Sequence, residues 1–281
     1  FILDKNNNPL DIIFKNNIDT NYLIEEFMLI ANKIVAKKIG LLKKEKTFIY
    51  RVHDKPDQNK IDSLNTIIKK FGYYIKENSQ KNISKSLNNL LENVKGKPES
   101  NMIETLAIRS MSKAIYSTNN IGHYGLNFKY YSHFTSPIRR YPDLITHRIL
   151  ENYLNGGKSE EKIKMENICK YTSEKEKDAS LAERDSIKYM QTKFLEDKIG
   201  KTFKGVISGV TEWGIYVELE KNKCEGLVKI SSIKDDFYVF NEKTYSIIGK
   251  SFKKTYQLGD IVKVKIKNTY LEKKQIDFIL V

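Results

Sequence analysis

The sequence predicts two folds in tandem, an α+β unit over residues 1–199 and a small all-β barrel of the OB type over residues 200–281. Two observations carry this division. Before Gly200, apolar residues recur at helical spacing, as at Leu23, Phe27, Ile30 and Ile34. After Gly200 the texture becomes short β-rich runs separated by turns, at 202–210, 214–219, 225–230, 261–267 and 275–281. Five such runs suit a small closed barrel.

Taken in order, residues 1–14 read as an extended hairpin turning at Asn6-Asn7-Asn8-Pro9. A helix is expected over 21–38 and a strand over 47–53, broken at 54–57 where Pro56 stands. Short helices follow over 61–71 and 84–94. Asn101 and Glu104 have the spacing of a capping box for a helix running through Tyr116. Residues 118–137 form a polar, aromatic-rich loop region. The next helix runs from Pro142 to Leu154 and stops at Gly156-Gly157, proline at the start and glycine past the end. A long charged helix over 160–198 ends at Gly200, and 234–256 is an excursion before the last two barrel strands.

The 281 residues are 40% hydrophobic and 11% aromatic, a globular composition able to bury a core. No stretch approaches the ~18 apolar residues of a membrane span. The sequence opens on Phe1 rather than Met, with Phe1–Leu3 reading as mid-strand, so a longer parent chain is expected. Cys169 and Cys224 stand alone, which argues against a disulfide framework or a zinc site and suits a reducing cytoplasm. His53, His123, His133 and His147 show no metal-ligand spacing. Net charge is +14; residues 201–281 hold 15 Lys against 10 acids, or +5, leaving +9 for residues 1–200. Both parts being basic favours a polyanionic partner such as nucleic acid, although an AT-biased genome also enriches Lys.

The segment richest in chemistry is His133-Phe134-Thr135-Ser136-Pro137-Ile138-Arg139-Arg140-Tyr141-Pro142-Asp143. A proline-stiffened loop delivers two adjacent arginines to a helix start. The guanidinium fork matches phosphate oxygens, and the helix N-terminus adds free N–H groups and partial positive charge. Such a site would hold a backbone phosphate and stabilise charge developing in phosphoryl transfer. The alternative is that these arginines pair with acids, Asp143 being adjacent.

Residues 131–143, with His147-Arg148, closely resemble the signature loop of the RNase II/RNase R nuclease family. Ile24-Glu25-Glu26-Phe27-Met28, Tyr50-Arg51-Val52-His53-Asp54, Arg109-Ser110-Met111, Ile121-Gly122-His123-Tyr124-Gly125-Leu126 and Ala182-Glu183-Arg184-Asp185 match in order and spacing. The resemblance implies the back half of an RNB nuclease domain, processive 3′→5′ hydrolysis of RNA to nucleoside 5′-monophosphates, and divalent metal, Mg²⁺. By carry-over, Arg139 meets the scissile phosphate and Glu183 lies near the terminal nucleotide, with pairing to a Lys or Arg along its charged helix as the alternative for Glu183. Glu25 and Glu26 approach the ribose of the last nucleotide or cap or brace the loop through Arg140 or Arg148. Tyr131 and His133 are candidates for lining an RNA channel, with core packing as the alternative for each aromatic. Arg140 is the second phosphate ligand. The family's metal-holding Asp-rich loop has no counterpart here, so residues 1–281 alone are expected to be inactive.

The barrel resembles an S1 domain. Gly205-Val206-Ile207-Ser208 opens it, Trp213-Gly214-Ile215-Tyr216-Val217-Glu218-Leu219 follows, and Glu225-Gly226-Leu227-Val228 leads to Lys229. Trp213 and Tyr216 fall where that family stacks aromatics on bases, three apart across a bulged strand. Lys229 replaces a common His and keeps phosphate attraction without a stacking plane; Gln275 replaces a common basic residue. The excursion at 234–256 resembles an insertion usual in RNase R. The partners implied are single-stranded RNA 3′ ends and structured RNA, with no membrane and a monomeric protein. The competing reading from another class is a non-catalytic RNA-binding protein on the same scaffold. A translation-associated adaptor would account for the barrel alone.

Overall fold

Helical and alternating apolar patterns bury their faces in different ways. The chain divides into two units discontinuous in sequence, each mixing helices and strands, residues 15–56 with 111–181, and residues 1–14, 57–110 with 182–281. The computed structural model describes residues 1–42, 44–75, 80–97 and 100–281, the side chains of Lys70, Gln80, Lys81, Asn82, Asn101 and Lys243 excepted. In chain order the elements are β1 (Ile2–Leu3), β2 (Pro9–Asp11), α1 (Asp19–Gly40), β3 (Tyr50–Val52), α2 (Gln58–Ile68), α3 (Gln80–Val94), α4 (Ser100–Ser110), β4 (Ile115–Ser117) and α5 (Tyr141–Leu154). There follow α6 (Lys162–Leu195), β5 (Thr202–Thr211), β6 (Gly214–Leu219), β7 (Glu225–Lys229), β8 (Tyr238–Asn241), β9 (Ser246–Gly249), β10 (Thr255–Gln257), β11 (Ile261–Tyr270) and β12 (Gln275–Leu280).

The unit of residues 15–56 and 111–181 packs α1, α5 and the start of α6 around the β3–β4 pair. Its core joins Ala36 and Ile39 to Phe48, Ile49 and Tyr116, with Ile145, Ile149 and Cys169 from the helices. The strands are antiparallel, Tyr50 opposite Ser117 and Val52 opposite Ile115. This pairing overturns the helix expected to run through Tyr116: α4 ends at Ser110, and the strand that follows has a partner waiting in β3. That helix also begins at Ser100, whose hydroxyl donates to Glu104 Oε1 at 2.6 Å, so Asn101 lies inside it and its side chain is outside the described residues. A second difference concerns α1. Its stripe of Leu23, Phe27, Ile30 and Ile34 is exposed, while Asn32, Ala36 and Ile39 face the core. Periodicity identified the helix but not the face that packs in this chain.

The other unit holds the β1–β2 hairpin, the α2–α4 helices and the barrel. The side chain of Asp57 caps α2 by accepting from Asn59 N at 2.9 Å, a carboxylate at a helix start. Ile61, Leu64, Leu87, Leu90 and Ile103 are buried among the three helices. The barrel closes in the order β11-β12-β7-β6-β5, with β12 and β7 parallel and the remaining neighbours antiparallel. Ile207, Ile215, Val217, Val264 and Phe278 fill its interior. The excursion between β7 and β11 folds into its own antiparallel sheet, ordered β10-β9-β8.

Gly214 sets the tightest point of the barrel. Its φ is +154°, and a Cβ there would lie 2.1 Å from Val228 O and 3.0 Å from Lys229 Cα. Strand β7 backbone cannot yield without breaking its ladder. Gly214→Ala should therefore destabilise the barrel by about 2 kcal/mol, read as a lowered thermal midpoint in a melt followed by Trp213 fluorescence.

Candidate active-site loop and nucleic-acid interface

Between β4 and α5 the chain must turn while satisfying its backbone polar groups, and buried side chains do this. Asn32 of α1 is buried; its Oδ1 accepts from Phe134 N at 2.9 Å and its Nδ2 donates to the Tyr131 hydroxyl at 3.3 Å. Ser132 donates to Ile49 O at 2.6 Å. From α5, His147 Nε2 donates to Phe134 O at 2.8 Å while its ring stacks on Phe134 at a centroid distance of 3.8 Å.

Asp143 is the centre of the loop. It is fully buried in the first turn of α5, and its Oδ2 accepts from Ser136 N and from Arg140 Nη2, both at 2.8 Å. Arg139 N and Arg140 N in turn donate to Ser136 O. A buried carboxylate requires such compensation, and removing one partner of a buried ion pair costs on the order of 3–5 kcal/mol. Four buried polar atoms, Thr135 Oγ1, Arg140 Nε, Asp143 Oδ1 and Thr146 Oγ1, have no hydrogen-bond partner among the described residues. Each belongs to Asp143, to its ion partner, or to a residue close in sequence to Asp143 or Ser136.

The two arginines thus have different fates. Arg140 pairs with Asp143 through Nη2, the pairing alternative left open by the sequence. Arg139 is exposed and has no side-chain hydrogen bond or ion pair among the described residues, and Ile138 beside it is fully exposed. The start of α5, with Pro142 in its first turn, stands immediately after them. Glu25 and Glu26 are exposed on α1 and do not brace the loop through Arg140, whose partner is Asp143.

Tyr131 and His133 sit in an aromatic cluster beneath the loop. Tyr131 is 5% exposed, with His123, Phe128 and His133 against its ring, so packing claims it and it offers no open face for a base. His133 Nδ1 shares a 2.8 Å hydrogen bond with the Tyr116 hydroxyl, and Arg51 lies over the Tyr116 ring while binding Glu176 through two bonds of 2.6 and 3.1 Å. Burial, with Arg140, Arg51, His123 and Arg139 nearby, pushes the His133 imidazole down to about 3. Burial, with His53 and Arg51, pushes His123 down to about 4. His53 accepts from Gly125 N through Nδ1 at 3.0 Å, which leaves Nε2–H to donate to Ser112 O at 2.8 Å. Asn32, Arg51 and His147 are loop-holding residues whose roles the sequence did not reveal; Asn32 lies off the apolar stripe of α1, and no signal in the sequence marked it.

In the other unit, Trp213 stands 70% exposed at the β5–β6 turn, where its carbonyl accepts from Ile230 N. It is not a core residue. Tyr216 lies on the barrel exterior against Gly209, where a Cβ would come within 3.4 Å of its ring. The bulge expected beside these aromatics lies on β5, between Ile207 and Gly209, not on their own strand. Gly214 pairs with Lys229, which brings Lys229 beside Trp213, and Lys229 Nζ binds Asp277 Oδ2 at 2.7 Å. That bond raises the Lys229 pKa, so the ammonium stays charged. Glu183 is exposed on α6. Among the described residues no group of three or more His, Cys, Asp or Glu is arranged to hold a metal ion.

The RNB domain family matches residues 1–156, more than half of the chain. The chain belongs to the RNB family. Behind its RNB segment, the S1 RNA binding domain family matches residues 196–280. Ribonuclease R of Aquifex aeolicus is 38% identical and that of Thermotoga maritima 39% identical, each over 100% of this chain and 40% of its own length. The chain therefore spans about two fifths of these relatives. Among solved structures, the apo form of Mycoplasma genitalium RNase R superposes with a TM-score of 0.89 at 30% identity, covering 100% of this chain and 44% of that one. The same RNase R in complex with ribose methylated single-stranded RNA gives 0.88 at 30% identity, with the same coverage.

The neutral histidines of the RNB segment make its stability pH-dependent. With folded-state pKa values below the ordinary 6.5, His123 and His133 bind protons less readily in the fold than when unfolded. Their contribution is fully present above about pH 6.5 and is lost as pH falls through the window down to about 4 and about 3. Urea midpoints measured from pH 7 to pH 4.5 should fall, and the fall should be shallower in His133→Gln.

Proposed function

We propose that the chain is part of a processive, RNase R-like 3′→5′ exoribonuclease that shortens RNA to nucleoside 5′-monophosphates. One observation supports this most directly: the loop immobilises Arg140 on a buried carboxylate and leaves Arg139 with an unclaimed guanidinium at a helix start. That arrangement is suited to a phosphodiester, giving planar donors and a favourable helix end at the same point. In this reading Arg139 meets the scissile phosphate and Glu183 the terminal nucleotide, with Glu25 approaching its ribose. Trp213 and Tyr216 offer faces to unpaired bases beside the ammonium of Lys229. The substrates are RNA 3′ ends, single-stranded and structured, engaged by a cytoplasmic monomer; the free buried Cys169 and Cys224 suit a reducing compartment.

The metal of this chemistry is Mg²⁺. Among the described residues no group of three or more His, Cys, Asp or Glu is arranged to hold it, and in this reading the family's Asp-rich loop would supply its ligands. Arg139 needs no metal to bind phosphate. Its contribution to rate is the charge it places against the non-bridging oxygens.

In the complete protein, Arg139→Ala should lower turnover by about a hundredfold or more with RNA affinity changed far less, measured by single-turnover digestion and by equilibrium binding. Equal losses in both would make Arg139 an anchor only. Residues 1–281 alone, given Mg²⁺ and RNA, should bind without releasing nucleotides. In the same material Trp213→Ala should weaken binding by about 1–3 kcal/mol, the worth of one stacked base, with the thermal midpoint unchanged. A melted barrel would instead mark Trp213 as structural.

A further inference from the structure

Outside the signature loop, one cleft in the unit of residues 1–14, 57–110 and 182–281 combines cations with an aromatic ring. It measures about 270 Å³ and lies where α2 and α4 meet the β8–β9 turn. Lys60, Leu64 and Ile67 of α2 fall at i, i+4 and i+7, and Leu106 and Arg109 of α4 at i and i+3, so each helix turns one face into it. Leu64, Ile67 and Leu106 are buried and form an apolar floor. Ser63 and Ser110 also line the cleft, but their hydroxyls are spent on Asn59 O and Ala107 O. The polar chemistry left is cationic. The Lys60 ammonium has no hydrogen bond or ion pair among the described residues, and the Arg109 guanidinium makes a single long bond, to Ser208 O at 3.5 Å.

The remaining wall is Tyr245, and its backbone is unusual. It sits at φ +45° and ψ 52°, the left-handed region that a bulky side chain adopts at a cost and that Asn or Gly adopts readily. The turn alone would be better served by Asn. A tyrosine held there against its backbone preference brings a phenol ring to the rim of a cleft that carries two underused cations.

We infer that this cleft seats one nucleotide of an RNA strand, its base on Tyr245 over the apolar floor and its phosphate on Lys60 and Arg109. The inference rests on the RNA-binding reading of the chain but uses none of the residues of the signature loop or of the Trp213 surface. A nucleotide supplies an aromatic plane and a phosphate within one residue's reach. An acidic peptide supplies the charge without the plane. The net charge of +14 favours the polyanion further.

The test is fluorescence anisotropy of a labelled oligoadenylate on residues 1–281, repeated at stepped potassium chloride. Lys60→Gln with Arg109→Gln should weaken binding about tenfold and lower the slope of log affinity against log salt by about 0.7 for each phosphate no longer neutralised. Tyr245→Asn should weaken binding about tenfold with the slope unchanged. Its thermal midpoint should hold or rise, because Asn relieves the backbone; Tyr245→Phe should bind as the parent does. Wild-type affinity in both the double variant and Tyr245→Asn overturns the inference while leaving the RNA reading intact. Absence of oligoadenylate binding by the parent chain overturns both. A labelled polyglutamate peptide that binds the parent chain and loses affinity in these variants, where the oligoadenylate does not, assigns the cleft to an acidic protein partner and also overturns the inference.

Discussion

The loop that carries Arg139 depends on one buried carboxylate. Asp143 is inside the protein, at the first turn of α5, and an uncompensated charge there would be prohibitive. Its Oδ2 draws in the Ser136 amide and the Arg140 guanidinium, which closes the loop over the helix start. Once Arg140 is turned inward, Arg139 is left outward with its charge unspent. Two adjacent arginines of identical chemistry are separated into a brace and a free cation by a residue three or four positions away.

The surroundings keep that charge balance stable near neutral pH. The loop rests on an aromatic and imidazole layer in which burial holds His133 and His123 neutral. A protonated His133 would add a third positive charge beside Arg139 and Arg140. Arg51, the other cation of the layer, is neutralised by two bonds to Glu176 and rests on the Tyr116 ring. Positive charge is therefore unbalanced at Arg139 and compensated beneath it.

The barrel places its exposed aromatics and cation by a different physical route. There a glycine at the tightest turn lets β6 and β7 approach, which sets Lys229 beside Trp213. A second glycine, Gly209, gives the Tyr216 ring a flat place to lie. Small residues at these points expose large aromatic faces, while the ammonium of Lys229 is steadied by Asp277 and stays charged. Stacking and phosphate attraction of this kind read a strand without reading its sequence.

Much of this was legible in the sequence. The five barrel strands, the hairpin at 1–14 and most of the helices follow from local period and turn residues, because each is written within a few neighbouring positions. What only the tertiary structure decided depends on residues far apart in the chain. Ile115–Ser117 became a strand because β3 was there to pair with it. The buried face of α1 proved to be Asn32, Ala36 and Ile39 and not its more apolar stripe. Tyr131 was taken into the core and Trp213 left outside, although both are large aromatics beside loops. Arg139 and Arg140 could not be told apart by type or by position. They differ because burial makes one carboxylate demand a partner, and the fold lets only one arginine reach it.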